Sequence, residues 1–126
     1  MSEIGSLTPA ALDFEPVMRG DTFPARPLAM LSQDGAAVEV TSALLQVRTR
    51  LRQTLVTEWK TSDDSILISG SPTPNIITLA EKPAAETAEW PLGRHDYDLE
   101  ITLADGRVIT LFKGDFPVNR DTSRSA

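Results

Sequence analysis

One histidine stands in this chain of 126 residues, and it stands among carboxylates, in His95-Asp96-Tyr97-Asp98. An imidazole beside acids is the raw material of an acid–base pair or a metal site. The spacing speaks against both. On an extended strand successive side chains alternate, so His95 points away from Asp96 and Asp98. With one histidine and no cysteine, the remaining ligands of a zinc ion would all have to be carboxylates. Ser-His-Asp catalysis needs a serine within reach of His95, and no GxSxG-type elbow presents one. No phosphate-cradling glycine loop occurs either. The plain account of the cluster is a strand entry that is polar because it is exposed. No catalytic residue, metal ligand or cofactor is assigned.

Two other groups of residues could carry recognition. Arg19-Gly20-Asp21 spells an adhesion tripeptide, but Gly-Asp turn chemistry accounts for it fully. Arg48, Arg50 and Arg52 alternate, which on one strand lines them into a basic stripe. A solvated face or a charge-guarded edge explains such a stripe, and a patch for an acidic partner is its functional alternative. On an acidic protein that patch suits self-association.

The element best placed to organise these residues is Tyr97 to Gly114, which reads as a β-hairpin. Tyr97, Leu99, Ile101 and Leu103 alternate with Asp98, Glu100 and Thr102, one apolar face and one polar face. Asp105-Gly106 supplies the turn. A loop of two or four residues puts Leu103 against Val108, Ile101 against Thr110 and Leu99 against Phe112, with Asp98 and Lys113 as an outer charge pair. A three-residue loop shifts the pairing by one and turns Ile109 and Leu111 inward. Both registers are open.

Around it, Asp13 to Met18 reads as a short strand that Pro16 confines to an edge, and Thr22 to Leu31 as one interrupted by Pro24 and Pro27. Residues 44 to 50 read as a strand, against a helix capped by Ser42 with Leu44, Val47 and Leu51 on one face. Leu55 to Lys60, Ile66 to Ile68 and Asn75 to Ala80 are further strands, the middle one an apolar run suited to cover on both faces. Pro83 to Glu89 is a helical turn with Pro at its first position, and Thr8 to Ala11 a possible second one. The sum is an all-β, immunoglobulin-like antiparallel sandwich of seven to eight strands, occupying residues 13 to 124 after a flexible segment 1 to 12. Trp59 and Trp90 are its natural large core fillers, and Tyr97 stands where such sandwiches place a corner tyrosine.

A net charge of −6 argues against phosphate neutralisation, so no nucleic acid is expected as a partner. No apolar run approaches the ~20 residues that span a bilayer, and the N-terminus lacks a signal-peptide pattern. A protein made in the cytoplasm, without membrane or small-molecule partners, is expected.

The order of features resembles the small phage proteins similar to the N-terminal domain of baseplate upper proteins. The residues that carry this are Arg19-Gly20-Asp21-Thr22-Phe23, Asp34-Gly35, Val38-Glu39-Val40-Thr41, the strand LLQVRTR, Gly93 and Tyr97 to Ile101. It continues through Gly106, Thr110-Leu111, Lys113-Gly114-Asp115-Phe116, Val118 and Thr122-Ser123-Arg124. The resemblance implies a non-enzymatic virion structural protein, a docking piece of a tail, baseplate or connector that binds other phage structural proteins or copies of itself. Members of that family continue into a fibrous stalk, whereas this chain stops at Ala126, so the docking module alone is expected. The rivals are a carbohydrate-binding sandwich with aromatics laid out for stacking, and a small enzyme or metal site around His95.

Overall fold

Alternation of apolar and polar residues fixes which way each strand faces, and two sheets close on the apolar side. The computed structural model describes residues 10–11, 14–32 and 34–120. Its strands are β1 (Ala10–Ala11), β2 (Val17–Met18), β3 (Arg26–Ala29), β4 (Val40–Arg48), β5 (Leu55–Lys60), β6 (Ile66–Ser69), β7 (Ile76–Leu79), β8 (Gly93–Leu103) and β9 (Val108–Asn119). One short helix, α1 (Ala84–Thr87), and a 3-10 turn over Thr61–Asp63 complete the elements. The fold is all-β, a sandwich of a six-stranded sheet ordered β1-β9-β8-β4-β5, with β2 also on β9, and a three-stranded sheet ordered β3-β7-β6.

The β8–β9 hairpin realises both registers in turn. Gly106, at φ 91, donates its N–H to Leu103 O, and Leu103 donates to Arg107 O, which makes a three-residue loop ending in a left-handed glycine. Next to the loop Ile101 therefore faces Ile109, the shifted pairing. A bulge between Leu99 and Glu100 then takes up one residue of β9, and beyond it Leu99 faces Phe112 and Asp98 faces Lys113.

The strand reading of 44 to 50 holds through Arg48, with Ala43, Leu45 and Val47 buried. Helical spacing lost to pairing with β5 and β8 on both sides. Several expectations need correction. Ala10–Ala11, expected as flexible chain or a helical turn, pairs in parallel with β9, while Thr8 and Pro9 lie outside the described residues. The run Ile66 to Ile68 is covered on one face only: Ile66 is buried and Leu67 is 57% exposed. Pro83 caps α1 rather than opening it.

The core joins both sheets. Phe116 lies with its ring centroid 6.1 Å from those of Phe23 and Trp59, 5.8 Å from that of Trp90 and 5.1 Å from that of Phe14. Trp59 and Trp90 are buried, as their size demands, and Trp59 Nε1 donates to Ala80 O at 2.8 Å. Tyr97 is buried with its ring edge-on to Phe14, 4.7 Å away.

Candidate interaction surface

The strand alternation that buries His95 and Tyr97 turns Asp96, Asp98 and Glu100 outward. His95 is therefore not the exposed residue expected from its neighbours. It is 4% exposed, and its Nε2–H donates to Pro91 O at 2.7 Å, so a core contact and a backbone carbonyl occupy it. As expected, it points away from both aspartates. Among the described residues no group of three His, Asp or Glu side chains is placed to hold a metal ion.

The three arginines do not form a stripe, because β4 ends at Arg48 and the chain turns over 49–54. Arg48 donates from Nη2 to Gln46 Oε1 at 3.0 Å and from Nη1 to Gln53 O at 3.2 Å. Arg50 bridges Asp96 at 2.9 Å and Asp115 at 2.6 Å, and these bonds, Asp96 first, raise its pKa above the usual guanidinium value. Arg52 is exposed at the tip of the turn. Arg50 is neutralised by its carboxylates while Arg48 and Arg52 keep their charge in different places, so the three do not act together.

Arg19-Gly20-Asp21 is a turn, as its chemistry requires, with Gly20 at φ 93. Buried Thr87 of α1 fastens it: Thr87 Oγ1 donates to Asp21 O at 2.7 Å and accepts from Gly20 N–H at 3.0 Å. A row of exposed aromatics for sugar stacking is absent among the described side chains. Phe14, Phe23, Trp59, Trp90, Tyr97 and Phe116 are all buried.

The two outer faces of the sandwich differ in chemistry. The six-stranded sheet shows Glu58, Lys60, Gln46, Arg48, Asp96, Asp98, Glu100, Lys113 and Asp115 along β5, β4, β8 and β9. Much of this face is bonded to itself. Glu58 accepts from Gln46 Nε2 and from Lys60 Nζ, each at 3.1 Å, and these bonds hold its carboxyl below the usual glutamate value. A shallow depression of about 440 Å³ opens there, lined among others by Arg48, Tyr97, Asp98, Lys113 and Gly114.

The outward rows of the three-stranded sheet carry no charged side chain. Its inward rows are Arg26-Leu79-Ile66 and Leu28-Ile77-Ile68, with Arg26 at the rim, its guanidinium 5.1 Å over the Phe14 ring. Its outward rows are Pro27-Thr78-Leu67 and Ala29-Ile76-Ser69. Leu31, 47% exposed, extends the β3 line, and Ala25 precedes it. Pro27 removes one backbone donor from the β3 edge, as expected for a strand that shows its bare side to solvent. These outward residues were not singled out from the sequence. The available signal was the stretch Ser65 to Ala80, which contains no Asp, Glu, Lys, Arg or His.

No family model matches the chain. No curated protein matches it. Among solved structures it is similar to the crystal structure of CopC from Methylosinus trichosporium OB3b, at 12% identity and a TM-score of 0.45, over 93% of this chain and 91% of that one. That likeness is one of overall shape, and nothing of CopC's activity is carried over. The virion structural role expected from the phage resemblance is corrected here. No family model or curated protein ties the chain to a tail or baseplate, and a solved structure that aligns with it is a CopC, so the virion assignment does not stand.

Proposed function

We propose that this chain is a non-enzymatic β-sandwich module that works by self-association, through the uncharged outer face of its three-stranded sheet. The observation that carries the reading is the contrast between the two faces. A molecule of net charge −6 repels its own copies, and the six-stranded face has carboxylates and cations already paired with one another, pairs that a contact of that face with itself would have to desolvate. The face built from Pro27, Ala29, Leu67, Ser69, Ile76 and Thr78 carries no charge, so two copies related by a two-fold axis meet there without like-charge cost. The one histidine is engaged in a structural bond, which favours a surface role over acid–base chemistry.

Size sets the strength. Three strands of four residues span roughly 10 Å by 13 Å, well under the ~800 Å² per partner of a stable interface, so the contact is of the weak, reversible kind. Sedimentation velocity over a concentration series tests it. The wild type is expected to associate reversibly, and Leu67→Lys, a change at an exposed site, to remain folded and associate more weakly. A Leu67→Lys protein that associates like the wild type contradicts the reading.

A further inference from the structure

A second surface feature stands apart from the sheet face. Leu51, at the tip of the β4–β5 turn, is 96% exposed, the most exposed large apolar side chain among the described residues. The turn that carries it is tightly bonded. Thr49 N–H donates to Thr54 O at 2.8 Å, Gln53 N–H to Thr49 O at 2.9 Å, and Thr54 N–H to Thr49 Oγ1 at 3.0 Å. Gln53, at φ 56, also donates from Nε2 to the carbonyls of Thr49 and Arg50, each at 3.1 Å. Arg50 ties the turn back to Asp96 and Asp115. A leucine held out in water on so fixed a support loses little conformational freedom when it is buried by a partner. Beside it Arg52 is exposed and makes no hydrogen bond or ion pair among the described residues.

Such a tip fits an apolar hollow with a carboxylate at its mouth, and this chain has one. Between Glu15–Met18 and Asp21–Arg26 lies a hollow of about 440 Å³, walled by Pro16, Met18, Pro24 and Ala25. Met18 is 38% exposed there. The one cation of the lining, Arg26, is drawn onto the Phe14 ring, and the lining carries two carboxylates, Asp21 and the more exposed Glu15. We infer that Leu51 of one copy seats in this hollow of another, with Arg52 of the first meeting Glu15 of the second. The contact joins two different patches, tip and hollow, unlike the two-fold contact of the sheet face.

The test measures self-association of the full chain by sedimentation, with circular dichroism confirming the fold of each variant. In a Leu67→Lys background, where the sheet face is disabled, residual association is expected that Leu51→Ser weakens by about tenfold or more. Arg52→Glu and Glu15→Arg are each expected to weaken it, and the two together to restore it, because the swapped charges still attract. Absence of residual association in Leu67→Lys, or an unchanged constant in Leu51→Ser, overturns the tip contact while leaving the sheet face standing. Association lost in Leu51→Ser but intact in Leu67→Lys supports the tip and removes the sheet face. Failure of the double charge swap to recover what the single variants lose overturns the pairing of Arg52 with Glu15.

Discussion

Pro27 and Leu67 stand on opposite sides of Thr78 in a single outward row of the three-stranded sheet, with no charged side chain between them. The other sheet shows carboxylates on β5, β8 and β9. This asymmetry gives a salt signature. The charge that opposes contact through the uncharged face is the net −6 of the whole molecule, which salt screens. Association through Pro27, Thr78 and Leu67 is expected to strengthen from about 0.05 M to about 0.5 M NaCl, as the Debye length shrinks. Sedimentation at the two salt concentrations checks it, and an interface carried by ion pairs gives the opposite trend.

Phe116 is the centre of the aromatic core, fully buried and in ring contact with Phe14, Phe23, Trp59 and Trp90. Phe116→Ala opens a cavity where both sheets meet and is expected to cost about 3–5 kcal/mol, read from denaturant unfolding.

Thr87 ties the Arg19–Asp21 turn to α1 through its hydroxyl. Thr87→Val keeps the shape and deletes those bonds, so a loss of about 1–3 kcal/mol is expected. Arg50→Ala, by contrast, removes ion pairs between side chains that are 47% and 44% exposed for Arg50 and Asp96, and is expected to leave the denaturant midpoint close to that of the wild type.

Acid is expected to destabilise the fold from one direction. Glu58 is held below its ordinary 4.5 by its bonds from Gln46 and then Lys60, and Asp63 below 3.8 by the hydroxyl and then the N–H of Ser65. Asp105 is lowered by the Arg107 N–H first. Because each pKa is lower in the folded state than in the unfolded one, their stabilisation is complete above the unfolded values. It is lost as the pH falls through the lowered ones. Unfolding midpoints are expected to be level between about pH 7 and about pH 5.5 and to drop below about pH 4.5, with a shallower drop in Glu58→Gln.

Period-two alternation made β8 and β7 legible from the sequence, because one buried face leaves a direct trace in residue type. The hairpin's turn was legible from Asp105-Gly106, but its register was not. A bulge resolves the two pairings, and nothing in Thr110-Leu111-Phe112 marks where a residue is taken up. His95 was read as exposed from its polar neighbours, yet on a strand Asp96 and Asp98 report the opposite face from the one His95 occupies. The arginine stripe failed because the strand stops at Arg48, an end set by pairing with Leu55 and Asp96 rather than by local composition. The uncharged face was invisible for a topological reason. Its rows are assembled from β3, β7 and β6, segments that only the sheet order brings side by side.

Concentration-dependent methyl NMR tests the central claim most directly. On raising the protein from about 20 μM to about 1 mM, a range matched to weak association, methyl shifts are expected at Ala29, Leu67, Ile76 and Thr78. Leu44, on the charged face, should stay still. Shifts at Leu51 and Met18 would belong to the separate tip contact. A spectrum unchanged at Ala29, Leu67, Ile76 and Thr78 across that range, or one that moves on the charged face instead, contradicts self-association through the three-stranded sheet.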